Sequence, residues 1–241
     1  MSAKGCPHMK RMTSVVACFG LVLCLGRAAG AAPTEQPWNG EQVAWTFDDV
    51  PVGGLPYGWE VEATRQAGSL ATWEVVADET APSDGRALAL TSPNHTSRGT
   101  FNVCWTNGVS ILDGEVEVRF KAHTGKIDQG GGVIWRAQDR HNYYIARYNP
   151  LEDNLRIYYV LDGDRTMLAN ADISLAAGEW HVLKVVQRRA DIHAYLNGEK
   201  LLETTDERFT APGGIGLWTK ADAVTSFDDL VVRMSRVVAP R

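Results

Sequence analysis

The sequence predicts an all-β domain, an antiparallel two-sheet sandwich, and three observations carry that reading. From residue 41 onward, short runs alternate apolar and polar side chains with period two, the spacing that puts every second residue on one face of a strand. Gly, Pro, Asn and Asp separate the runs, as tight turns require. No stretch carries an amphipathic helical stripe of about 11 residues or more.

The elements follow in chain order. Residues 43–47, 73–77 and 87–91 open the series, each bounded by Pro, Gly or Asp. Residues 99–105 and 114–121 come next; in the latter, Val116, Val118 and Phe120 alternate with Glu115 and Glu117, giving one apolar and one charged face. Residues 131–136 start in the glycine triplet 130–132 and set Arg136 against the apolar residues Val133, Trp135 and Ala137. Residues 143–148 and 155–161 flank the turn 149–154, and Asp162-Gly163-Asp164 closes the next hairpin, so these strands form a meander. Residues 180–188 precede Ile192, Ala194 and Leu196, which alternate with His193 and Tyr195 before Asn197-Gly198. That Asn-Gly pair calls for a type I′ turn, whose two central residues take positive φ. Residues 214–219 and 226–234 complete about a dozen strands with no blade-length repeat, which suits a sandwich better than a propeller. Thr46-Phe-Asp-Asp-Val50 is echoed by Ser226-Phe-Asp-Asp-Leu230, and strands that alternate alike can pair edge to edge. The two termini are therefore expected to pair and close the sandwich.

Composition sets the frame for this fold. The chain has 241 residues, 44% of them hydrophobic and 22% charged, enough apolar material for one core and too much for a disordered chain. Residues 1–12 are basic, 13–25 apolar, and 27–32 rich in Ala and Gly, which reads as a secretory signal peptide over residues 1–31. The apolar run is too short to span a bilayer, so no transmembrane anchor is expected. A short disordered segment, 32–36, would lead into one domain over 37–236, followed by a tail, 237–241. The formal net charge is −5, and loss of the leader's Lys4, Lys10, Arg11 and Arg27 makes the exported protein more acidic. A nucleic-acid partner is excluded on that balance, and the expected location is extracellular or periplasmic. Three of the four cysteines fall in the leader, leaving Cys104 as a buried apolar residue in a domain without disulfides. Asn94-His95-Thr96 is a formal glycosylation sequon.

Gly130-Gly-Gly-Val-Ile-Trp-Arg136, Asn142-Tyr-Tyr-Ile-Ala-Arg147, Gly178-Glu-Trp-His181, Leu196-Asn-Gly198 and Gly214-Ile-Gly-Leu-Trp-Thr-Lys-Ala-Asp222, with Phe227-Asp-Asp-Leu230, resemble the concanavalin A-like lectin/glucanase superfamily. More narrowly, the chain resembles the laminin G-like and 3-keto-disaccharide hydrolase-like domains of secreted bacterial proteins. The resemblance implies a jelly-roll sandwich, and with it a lectin, a glycosidase or an adhesion module. It also implies a structural calcium near the paired terminal strands.

The residues themselves point most strongly to carbohydrate binding. In 214–220, Ile215, Leu217 and Thr219 share one face, so Trp218 and Lys220 are expected to project from the other, an indole beside a cation on which a pyranose can stack. Arg136, Tyr144, Arg147 and Asp222 join that ligand-binding set, with Asp222 also able to pair with Arg136. Tyr143 and Arg147 share one face of their strand and Tyr144 and Tyr148 the other, and alternation does not say which is inward. Asp48 and Asp228 are the candidate Ca²⁺ ligands, because at most one Asp of each Asp-Asp pair can face a common ion. Glu115-Val-Glu117 lacks the central Asp and third acid of the glycoside hydrolase family 16 motif, and reads as a solvated strand face. The expected function is thus a non-catalytic, lectin-like module. The alternatives are a glycoside-cleaving hydrolase of the 3-keto-disaccharide type, with unassigned acids, and a laminin G-like adhesion module binding protein.

Overall fold

The structure is a computed structural model describing Met1, Trp38, residues 40–93 and residues 98–234. The expected leader beyond Met1, the segment 32–36, the sequon and the tail lie outside the described residues. Those described hold no helix and fifteen strands: β1 (Gln42–Trp45), β2 (Glu60–Thr64), β3 (Thr72–Ala77), β4 (Arg86–Ser92), β5 (Phe101–Ile111), β6 (Gly114–Thr124), β7 (Gly131–Asp139), β8 (Asn142–Asn149), β9 (Asn154–Leu161), β10 (Asp164–Asp172), β11 (Trp180–Arg188), β12 (Asp191–Leu196), β13 (Glu199–Thr205), β14 (Gly213–Lys220) and β15 (Val224–Met234).

Every pairing is antiparallel, and the strands form two sheets. The first runs β13-β12-β11-β6-β15-β4-β3, with β1 also paired to β15; the second runs β10-β9-β8-β7-β14-β5-β2. Alternation decides the core between them: Val116, Val118, Phe120, Leu183, Val185 and Phe227 of the first sheet pack toward Val133, Trp135, Tyr144, Ala146, Ile157, Ile215 and Leu217 of the second. Cys104 lies in this core, where burial pushes its thiol pKa up and keeps it protonated. The Trp135 indole N–H meets the amide oxygen of Gln187, whereas the indole nitrogens of Trp59 and Trp73 in the same core are buried without a hydrogen-bond partner.

The termini do pair, Gln42 to Trp45 against Arg233 to Leu230. The echoed Phe-Asp-Asp segments are not the paired residues. Each holds one residue at positive φ, Phe47 at 64° and Asp229 at 47°, so each marks where its strand departs from regular extension.

The second sheet is rolled along a diagonal. Thr64 at one edge hydrogen-bonds the Arg140 carbonyl and meets the Tyr143 hydroxyl at 2.6 Å, although β5, β14 and β7 separate β2 from β8. In a flat sheet four strand spacings alone would hold them roughly 19 Å apart. Glu62 Oε1, 3.0 Å from Arg140 Nη1, and an Arg65–Asp164 ion pair fasten the same closure. The roll encloses a second apolar cluster of Phe101, Val103, Trp105, Ile134, Ala137, Tyr143, Ile145, Val160 and Trp218. Glycine makes room for it: a Cβ on Gly216 would lie 2.4 Å from that of Trp105.

Candidate functional site

Several strands of the rolled sheet bring charged and aromatic side chains to one mouth. Register aligns Trp218 with Gly132, Arg147 and Arg156 across β14, β7, β8 and β9. Arg147 donates to Glu152 at 2.9 Å, to the Tyr158 hydroxyl at 3.0 Å and to the Asn154 side chain. Arg156 donates to the same Glu152 oxygen at 2.9 Å and to Asn170 at 2.7 Å. Lys220 pairs with Asp128 at 2.8 Å, and Asp128 accepts a further bond from Asn149 at 2.9 Å. Arg165 of β10 reaches across the roll, its guanidinium carbon 4.3 Å from the ring centre of Tyr158, 5.1 Å from Phe101 and 5.8 Å from Trp218. Exposed Ile127, Leu151 and Met167 add an apolar surface on the adjoining turns and strand.

The two acids of the mouth differ in character. Burial would raise both carboxyl pKa values, and for Asp128 it prevails over the pull of Lys220, leaving that group above the usual carboxylate range. For Glu152, Arg147 and Arg156 with the Asn154 hydrogen bond outweigh burial and hold it below. Asp222 supports the mouth from beneath, its carboxylate accepting the backbone N–H groups of Lys126, Ile127 and Asp128 at 2.8 to 3.1 Å. Those donors override the effect of burial, so its pKa is lowered.

Four of the six expected ligand residues therefore meet here: Arg147, Trp218, Lys220 and Asp222. Their presentation departs from the sequence expectation. Trp218 does lie on the face opposite Ile215 and Leu217, but the roll covers that face and leaves the residue 1% exposed against Phe101, so it is no open platform. Arg147 is 2% exposed, and Lys220 is only partly exposed.

Arg136 and Tyr144 lie elsewhere and are buried. A register shift between β14 and β7 and a φ of 46° at Arg136 break the alternation. Its guanidinium turns inward to the carbonyls of Leu112, Phe209 and Arg189 at 2.7 to 2.8 Å, and its nearest acid is Asp113, not Asp222. A cavity of about 210 Å³ beside it, lined by Leu112, Asp113, Arg189, Ala190, Glu207 and Thr210, is mostly apolar. Tyr144 packs on Trp135 in the core and donates to Asp206 at 2.6 Å; burial, then Asp206, push its pKa up to about 12.

The other expected sites are also accounted for. Asp228 accepts from the N–H and hydroxyl of Ser83, and Asp48 from the N–H of Asp84 at 3.2 Å, so together they clasp one turn. Asp48 Oδ1 is buried and accepts no hydrogen bond. Among the described residues no three His, Cys, Asp or Glu side chains gather as a metal site. Glu115 lies on the first sheet, paired with Arg233, away from the mouth.

The sequence reading missed Arg165, Asp128, Glu152 and Tyr158. Only the Asp162-Gly163-Asp164 turn hinted at Arg165, by starting a new strand on the sheet that bears Arg147 and Trp218.

Comparison with known proteins fits this architecture. A family model described as a 3-keto-alpha-glucoside-1,2-lyase-like domain matches residues 58–233. A search of curated sequences finds no match. Among solved structures, the carbohydrate-binding module CBM66 from Bacillus subtilis is 20% identical, with TM-score 0.54, over 72% of this chain and 93% of its own. The endo-β-1,3(4)-glucanase SCLam of family GH16 is 12% identical, with TM-score 0.58, over 85% and 95%. The Bacillus licheniformis β-glucanase is 15% identical, with TM-score 0.52, over 82% and 100%. At these identities the likeness establishes the concanavalin A-like jelly-roll fold, which carbohydrate-binding modules and glucanases share.

Proposed function

The chain belongs to the 3-keto-alpha-glucoside-1,2-lyase-like domain family, and we propose that it is an exported carbohydrate-binding module whose ligand docks at the mouth of the rolled sheet. One observation carries the reading: Arg147, Arg156, Arg165 and Lys220 converge with Asp128, Glu152 and Tyr158 beside the exposed apolar Leu151 and Met167. Hydroxyl-rich ligands need that mixture, fixed polar groups for their hydroxyls and apolar surface for their C–H faces. The test is retention on a glycan array. Saturable binding that is lost in Glu152→Ala supports the proposal, and silence across the array overturns it.

A second reading, an enzyme cleaving 3-keto-glucosides, is favoured by the family match together with Asp128. A base that removes the C2 proton beside the 3-keto group forms an enolate, whose collapse breaks the C1–O bond and expels the second sugar with the electron pair. A buried carboxyl with a raised pKa suits such a base, and a neighbouring guanidinium suits the developing enolate oxygen. Incubation with a 3-keto-disaccharide separates the two readings: product formation lost in Asp128→Asn marks the enzyme, and binding without product marks the module. A structural Ca²⁺ at Asp48 belongs to the same proposal, since Oδ1 is the one buried carboxylate oxygen without a partner among the described residues.

A further inference from the structure

We infer that Arg165 is an anion-recognising residue of the mouth and takes the carboxylate of an acidic sugar, a uronate. The inference rests on the reading of the mouth as a carbohydrate site and narrows its ligand class.

The cations of the mouth differ in their partners. Arg147 and Arg156 share Glu152, and Lys220 holds Asp128. Neither acid can turn to Arg165 without abandoning those partners, and Asp222 is committed to three backbone N–H groups. Asp164, next in sequence, is paired with Arg65. Among the described residues the Arg165 guanidinium has neither a hydrogen bond nor an ion pair, only the three rings of Tyr158, Phe101 and Trp218.

Ring contacts and hydrogen bonds use different parts of a guanidinium. Aromatic groups attract the cation through their π faces, whereas its N–H donors lie in the plane and point outward at the edge. The arrangement therefore holds the group in place while leaving five donors without a protein acceptor. A neutral hydroxyl can accept from such an edge, but two carboxylate oxygens match its spacing with two parallel charge-assisted bonds. Burial lowers the pKa of Arg165; the charges of Asp128 and Glu152 act against that effect, but neither carboxylate hydrogen-bonds the guanidinium to replace its lost hydration. An incoming carboxylate would supply the missing partner.

The test is calorimetric titration of the exported chain with matched disaccharides, α- and β-linked, whose terminal glucose is either unmodified or oxidised at C6 to glucuronate. The uronate member of a pair is expected to bind about tenfold or more tightly than its neutral partner, with a preference that shrinks as salt rises. Arg165→Gln should bring that ratio close to one. Arg165→Lys, which keeps the charge and loses the fork, should retain only part of it, and covers the case in which Arg165→Gln fails to fold. Equal binding of neutral and acidic members to the unaltered protein overturns this inference and leaves the carbohydrate reading standing. A uronate preference that survives both substitutions removes Arg165 from the role, and silence toward every member overturns both readings.

Discussion

Trp218 shows what single residues reveal and what they conceal. Its facing was legible, because Ile215 and Leu217 do point to the core and Trp218 away from it. Its exposure was not, because alternation names a face without saying what covers that face, and the covering comes from strands far away in the chain. The energetic consequence differs accordingly. An indole on an open platform could be removed with little effect on folding, whereas Trp218→Ala should destabilise the domain by about 3–5 kcal/mol, the range for large core truncations. Thermal or denaturant unfolding checks this, and a variant as stable as the parent would place Trp218 outside the second core. Arg136 failed for another reason: one irregularity in the β7–β14 pairing reverses its side, and a period-two reading has no means of locating a bulge.

At the scale of elements, the central strands were legible and the edges of the second sheet were not. β11 and β12 match the expected spans, because strands packed on a core alternate clearly. β2 escaped notice and β10 was expected only as the unbounded far arm of the Asp162-Gly163-Asp164 hairpin; they are the two edges of the second sheet, where polar residues such as Glu60, Glu62, Asp164 and Thr166 blunt the pattern. Those two strands supply Glu62, Thr64 and Arg165, so missing the one and the extent of the other hid both the closure of the roll and the least-partnered cation of the mouth.

Two turns yield predictions at this scale. Asp222 anchors residues 126–128, and Asp222→Ala should cost about 1–2 kcal/mol after allowance for solvent. Its carboxyl pKa is lowered below 3.8 by the backbone donors, against the effect of burial. A depressed folded pKa gives stability that is complete above the unfolded value and lost as pH falls through the folded one. The destabilisation measured for Asp222→Ala should therefore be full at neutral pH and shrink in acid below that value; a pH-independent difference would contradict the role. At the Ser83–Asp84 clasp, a Ca²⁺ ion on Asp48 predicts a melting temperature that falls with EDTA and recovers with added calcium. A curve indifferent to both would leave Asp48 and Asp228 as a turn clasp alone.

For the whole molecule, the two-sheet sandwich and the pairing of its termini followed from periodicity and an internal echo. The roll did not, since it depends on contacts such as Thr64 to Tyr143 that join positions 79 residues apart. That curvature turns a sheet face into a second core and gathers Tyr158 and Arg165 at its charged mouth, where the proposed ligand docks. Chemical-shift mapping with isotope-labelled protein and the disaccharide panel tests this most directly. The account predicts perturbations at Tyr158, Arg165, Lys220 and the turn at 149–154; perturbations confined to the first sheet or to the cavity beside Arg136, with the mouth silent, would contradict it.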